Sequence, residues 1–254
     1  MSRQMPAYQR ALWSAPSRVR AVFTQRTGGV SLAPYDSLNL GDHVGDLASA
    51  VAQNRRRLRQ ALALPGEPLW LEQVHGIGVL DADRYDGPSA PRADAALTRA
   101  RGRVLAVLVA DCLPVLFATH DAVAVAIAHA GWRGLAAGVL EATIAALAAP
   151  QPPHVWLGPS IGPRHFEVGE EVREAFLAHD AAARFAFAPN ARGRWLCDLH
   201  ALARMRLAAL GLKSVAADAS CCYEQAQRYY SHRRDGVTGR MAALIWLQEG
   251  PGSA

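Results

Sequence analysis

Three residues of this 254-residue chain combine reactive side chains with positions that could bring them together: His75, Cys112 and His129. Each follows a short apolar run, 69–74, 104–109 and 122–128 respectively. Each is therefore expected at the open end of a rigid strand, where sheet proteins place reactive groups. If the strands are neighbours, one thiolate and two imidazoles form a good ligand set for zinc or copper. Three protein ligands leave a further position for water or substrate, as in a catalytic rather than a structural site. Cys112 and His129 would equally make a nucleophile and its general base. The spacings match no standard metal-binding pattern, so spacing by itself leaves these readings open beside that of a plain buried cysteine.

The residues around the trio add a second chemistry. In His129-Ala130-Gly131-Trp132-Arg133-Gly134 an apolar run passes through glycine into a helix start. Free backbone N–H groups there attract anions, and Arg133 could hold a phosphate with two hydrogen bonds. The pattern is neither a Walker loop nor a dinucleotide fingerprint. Arg26, just before Gly28-Gly29, is a second anion candidate. The long Gly- and Asp-rich stretch 28–46 is expected to be a binding loop, and within it Asn39 and His43 are candidate substrate or phosphate contacts.

The elements that must position these groups follow from apolar periodicity. The runs 69–74, 104–109, 115–118, 122–128, 155–157 and 242–247 read as strands, and 51–64, 135–147 and 167–178 as helices. Asp198 reads as the cap of a further helix, with Leu199, Ala203, Leu207 and Leu210 on one face. No linker or internal repeat divides the chain, so one domain over residues 1–254, with its core at about 20–248, is expected.

Hydrophobic residues make up 51% of the chain and charged residues 19%, the composition of a globular protein. No segment reads as membrane-spanning or as a signal peptide, and a cytoplasmic protein without membrane contacts is expected. The formal net charge of +5 is almost all arginine. The densest group, Arg55–Arg57 with Arg59, reads as the solvated face of a helix, so nucleic-acid binding is not expected. Cys112, Cys197, Cys221 and Cys222 form no C-x-x-C pair and no disulfide framework.

Longer blocks carry a family resemblance. They are Thr24-x-Arg26-x-Gly28-Gly29-Val30-Ser31, Tyr35-Asp36-Ser37-Leu38-Asn39-Leu40-Gly41, Gln73-Val74-His75-Gly76, Ala110-Asp111-Cys112-Leu113-Pro114-Val115 and His129 to Gly134. In the second half they are Leu157-Gly158-Pro159-Ser160-Ile161-Gly162-Pro163, Phe166-Glu167-Val168-Gly169 and Arg233-Arg234-Asp235-Gly236-x-Thr238-Gly239-Arg240. From about Val22 to Leu247 the chain resembles the laccase-domain family of the YfiH type, once called multicopper polyphenol oxidases.

The resemblance implies an α+β fold, a four-layer α/β/β/α sandwich with mixed sheets, and a metal held by His75, Cys112 and His129. It implies zinc, with copper possible, and a small-molecule enzyme: a purine nucleoside phosphorylase with adenosine deaminase activity, taking adenosine, inosine and methylthioadenosine with phosphate. Members have also been described as phenol oxidases and as editors of cell-wall precursors. The nine histidines include no H-x-H pair of the kind a multicopper centre uses. That counts against a multicopper centre; the alternatives are a laccase-like polyphenol oxidase and a Cys112-dependent hydrolase editing cell-wall precursors. Two departures from the family pattern are His232, where tyrosine is usual, and the doubled Cys221-Cys222.

Overall fold

The computed structural model describes residues 5–212 and 214–249. In chain order its elements are β1 (Tyr8–Arg10), β2 (Val19–Thr24), α1 (Ala48–Leu62), β3 (Val79–Asp81), β4 (Ala95–Thr98), β5 (Leu105–Val109), β6 (Leu113–Ala118), β7 (Val125–Ala130), α2 (Trp132–Ala137) and α3 (Val139–Leu147). There follow β8 (His154–Leu157), β9 (Glu167–Val168), α4 (Glu170–Leu177), β10 (Phe187–Pro189), β11 (Trp195–Cys197), α5 (Leu199–Ala209), β12 (Ala216–Ala217), α6 (His232–Asp235) and β13 (Met241–Leu247).

The apolar runs are continuous because their strands are covered on both faces. One sheet has the order β1-β2-β13-β5 and is antiparallel throughout. The other has the order β12-β8-β6-β7-β4-β3 and is mixed, with β12-β8 and β4-β3 parallel. A small antiparallel sheet, β10-β11-β9, stands apart. Alternate residues of β5 face different layers: Leu105, Val107 and Val109 join the core between the two large sheets, while Ala106 and Leu108 pack with Leu58 of α1. In β7, Val125 and Ile127 face the other sheet, and Ala126, Ala128 and Ala130 meet Val139 and Leu140 of α3 and Leu202 of α5. The layers are therefore helix, sheet, sheet, helix, the α+β sandwich that the resemblance implies. Among the described residues no helix is long and apolar enough to cross a membrane.

Several expected elements are corrected. Residues 69–74 form no strand: Leu69 and Glu72 make only isolated bridges, to Leu105 and Arg92. Instead the side-chain amide of Gln73 takes a strand's place beside β5, accepting from the N–H of Leu108 (2.7 Å) and donating to its carbonyl (2.9 Å). The helix expected over 135–147 starts at Trp132 and breaks at Gly138, whose φ of 104° only glycine adopts readily. The stretch 167–178 begins as β9, so α4 starts only at Glu170. Asp198 caps α5 by accepting from the Ala201 N–H, but Leu210 lies beyond the helix and is exposed. The arginines of α1 are not simply solvated. Arg55 donates to the Leu40 carbonyl and lies over the Trp70 ring, and Arg57 donates to the Gly29 carbonyl, so the helix pins the loop 28–46.

Candidate metal centre

The turn 110–112 passes from β5 in one sheet to β6 in the other, with Asp111 at φ 89°. Cys112 therefore sits where the two sheets meet. His129 is not at a strand end but inside β7, paired with Pro114 of β6. Strand alternation puts it on the same side as Ile127, facing the space between the sheets. His75 comes from the loop after Gln73, in the left-handed region at φ 59°. These three separate origins converge: the ligand atoms of His75, Cys112 and His129 all lie within 4.8 Å of one another. The two imidazoles meet edge to face, with ring centroids 4.9 Å apart. His129 is buried, Cys112 half-buried and His75 exposed, so the cluster is open on the His75 side.

One residue that sequence reasoning missed ties the cluster together. Asp94, fully buried just before β4, receives the Nδ1–H of His129 at Oδ1 (2.9 Å). The same carboxylate accepts the backbone N–H groups of Val74 (3.1 Å), His75 (2.9 Å) and Gly76 (2.6 Å). It thus fixes the His129 ring and the His75 turn together, and it leaves His129 Nε2 as the free ligand nitrogen. Burial pushes the Asp94 carboxyl up, but the hydrogen bonds from His129 and from the Gly76 and Val74 N–H groups prevail and hold it below the usual carboxylate range.

Burial also pushes the Cys112 thiol up, yet His129 and His75 outweigh it and bring it down to about 6. Burial lowers His129, whereas Cys112 and Asp94 raise it to about 9. Each of these two groups thus favours the charged form of the other. To an ion the set offers a soft sulfur and two nitrogens at ligand spacing, which suits zinc or copper.

Gly131 leaves the room such an ion needs. A Cβ there would stand 2.9 Å from His75 Cδ2 and 3.2 Å from Cys112 Sγ. Its backbone angles, φ −61° and ψ 155°, suit any residue. Gly131→Ala is therefore expected to cut metal content severely, at a cost in stability of about 1–3 kcal/mol from the crowding. Elemental analysis beside a melting curve checks this; full metal loading would show that the glycine is not needed for the site.

The other expected site residues are placed differently. Arg133 is exposed on α2, two residues beyond Gly131; its guanidinium lies over Trp132 and, among the described residues, has no hydrogen-bond or carboxylate partner. Glu141, a conceivable partner, binds Arg206, and Asp111 accepts the backbone N–H of Arg233. His43 is exposed beside Asp42, and burial together with the Arg240 charge lowers its pKa. Asn39 is wholly buried and its amide is saturated: it donates to Gly41 O and Asp46 Oδ2 and accepts from the N–H groups of Gly41 and Arg240. Arg26 is spent on Asp36 and the Ala226 carbonyl and lies over Tyr230, bracing the loop. His232 Nδ1 meets the Gly236 carbonyl within the turn after α6. Cys221 Sγ accepts from the Gly162 N–H, while burial pushes the Cys222 thiol far up.

Residues 20–248, which include the whole cluster, match the family described as multi-copper polyphenol oxidoreductase laccase. A purine nucleoside phosphorylase of Pseudomonas aeruginosa is 53% identical over 93% of this chain and 97% of its own. The Escherichia coli purine nucleoside phosphorylase YfiH is 51% identical over 92% of this chain and 96% of its own. Among solved structures, a Neisseria meningitidis protein superposes with a TM-score of 0.91 at 45% identity, over 95% of this chain and 99% of that one. YlmD of Geobacillus stearothermophilus does so with a TM-score of 0.82 at 32% identity, over 92% and 93%. Sequence blocks, layer order and overall superposition agree, and the chain belongs to the multi-copper polyphenol oxidoreductase laccase family.

Proposed function

We propose that the chain is a metal-dependent purine nucleoside phosphorylase that also deaminates adenosine, with His75, Cys112 and His129 holding zinc or copper. The observation that carries the reading is the open cluster of three donors. The relatives' names, purine nucleoside phosphorylase, point to the same substrates. An ion held there supplies Lewis acidity to an oxygen of water or substrate.

The chain's own groups do the rest. Asp94 keeps the Nδ1 proton of His129 in place, so that Nε2 stays turned to the site. Arg133, exposed on α2 two residues beyond Gly131 and without a carboxylate partner, draws in phosphate and neutralises part of its charge. In phosphorolysis a phosphate oxygen bonds to the ribose C1′ as the C1′–N9 bond breaks, and the departing purine takes up a proton. In deamination, water replaces the adenine amino group as ammonia leaves.

Purified protein given inosine and phosphate should form hypoxanthine and ribose 1-phosphate, and given adenosine should form adenine together with inosine. Chromatography of the products, with and without phosphate, checks both halves. Ready oxidation of phenols with no turnover of nucleosides would replace the proposal by the oxidase reading. Among the described residues, however, only one cluster of three or more metal-binding side chains exists, whereas a multicopper centre needs several. The lowered Cys112 thiol beside His129 favours one other reading, a hydrolase with Cys112 as nucleophile. That reading gains if metal-free protein keeps full activity.

A further inference from the structure

One cation near the cluster is built in rather than draped over the surface. β13 begins at Met241, whose partner in β5 is Val109. Extending this antiparallel register sets Arg240 beside the start of the turn 110–112, which carries Cys112. The Arg240 main chain is clamped to the loop 28–46: its N–H donates to Asn39 Oδ1 (2.9 Å) and its carbonyl accepts from the Leu40 N–H (3.1 Å). Its Nη1 donates to the carbonyls of Thr238 (2.9 Å) and Gly239 (3.1 Å), which fixes the plane of the guanidinium.

Gly41 provides the space for the stem, since a Cβ there would stand 2.8 Å from Arg240 Cγ. Three other guanidiniums of this region have carboxylate partners: Arg26 has Asp36, Arg55 has Asp42 and Arg234 has Asp235. Among the described residues Arg240 has none, and its Nε and Nη2 have no protein acceptor. Burial lowers the Arg240 pKa, and Cys112 and Asp111, across the turn 110–112, offset part of that. A half-buried guanidinium with two nitrogens left without a protein acceptor is completed by a bound anion.

We propose that Arg240 fixes the oxyanion co-substrate, inorganic phosphate, beside the metal position, with Nε and Nη2 as a two-pronged donor. This rests on the phosphorylase reading and refines it. Arg133 draws in phosphate, whereas Arg240 sets its place. The saturated Asn39 then has a role through Arg240 rather than through the substrate.

The test uses metal-loaded protein and two measurements: titration calorimetry with inorganic phosphate alone, and KM for phosphate and adenosine separately. Arg240→Met is expected to weaken phosphate about 10- to 100-fold, the scale of lost charge-assisted hydrogen bonds. KM for adenosine should move less than about threefold and metal content should be unchanged. Arg240→Lys should recover only part of the loss, because an ammonium lacks the fork.

Unchanged phosphate affinity in folded, metal-loaded Arg240→Met overturns the assignment. So does a parallel loss for phosphate and adenosine, or a wild type that binds no phosphate. If Arg240→Met does not fold, Gly41→Ala keeps the guanidinium but displaces it; it must weaken phosphate too, and unaltered affinity would count against Arg240. A wild type that binds phosphate through Arg240 yet cleaves no nucleoside keeps this assignment and removes the phosphorylase reading. Phosphate-dependent cleavage with the same phosphate KM in Arg240→Met does the reverse.

Discussion

Cys112→Ala, His75→Ala and His129→Ala are each expected to lower metal from about one ion per chain to below about a tenth, and to abolish turnover. In the proposed site three protein ligands would carry the whole binding energy. In four-ligand structural zinc sites that energy is about 10–16 kcal/mol, so one ligand of three is worth several kcal/mol. The variants should differ in stability in a way that the burial explains. His75 is exposed, and its loss should change melting little; His129 is buried against Asp94, and its loss leaves that carboxylate short of a partner.

Metal uptake should also depend on pH in a defined direction. The metal-free pair of Cys112 and His129 takes up one proton below about 9 and a second below about 6. The ion requires the thiolate and a neutral imidazole, so binding expels one proton from the pair between about 6 and about 9 and two below about 6. Affinity should fall about tenfold per pH unit between those two values and more steeply below the lower one. Calorimetry in buffers of different ionisation enthalpy counts the protons. Affinity that is flat with pH between the two values would show that the pair does not carry that proton.

What could be read from the sequence and what could not divide along physical lines. Cys112 and His129 are legible because each adjoins a run buried on both faces, and such runs stay continuously apolar. His75 is legible only by residue type: its segment lies beside β5 through the Gln73 side chain, a contact that leaves no periodicity to detect. The four-layer order comes from the family blocks, since alternation within 105–109 reveals two buried faces but not which layers they meet. Among the basic residues, sequence gives charge but not partners. Arg26 looks like Arg240 on paper, yet Asp36 and the Ala226 carbonyl occupy the first, while the second keeps Nε and Nη2 without a protein acceptor. Asp94 carries no local signal at all. It is one acidic residue ahead of Ala95–Thr98, and its importance lies in four donors that arrive from residues 74–76 and 129.

Replacing Asp94 is therefore expected to produce the largest change of any residue outside the ligand set. Its carboxylate spends one oxygen on the His129 ring and the His75 N–H, and the other on the Val74 and Gly76 N–H groups. Its own carbonyl also receives the His129 N–H (2.7 Å), so β4 delivers it directly against the ligand. Asp94→Ala strands three backbone donors and one imidazole N–H, and breaking such a buried charged contact costs about 3–5 kcal/mol. Asp94→Asn preserves shape but turns an NH₂ toward N–H donors, so it can serve only one side of the pair. Metal affinity should drop about 10- to 100-fold in Asp94→Asn, the scale for losing the partner that orients a ligand histidine. The pH dependence has a fixed sign. Asp94 titrates below the range of an unfolded carboxylate, so its contribution to stability is fully present above that range and is lost as pH falls through its lowered value. The melting-temperature gap between wild type and Asp94→Ala should accordingly be wide at neutral pH and close in acid. Metal content and melting curves at both pH values decide the matter. Wild-type metal affinity in Asp94→Asn would mean that the His75 turn and the His129 ring hold their places without it.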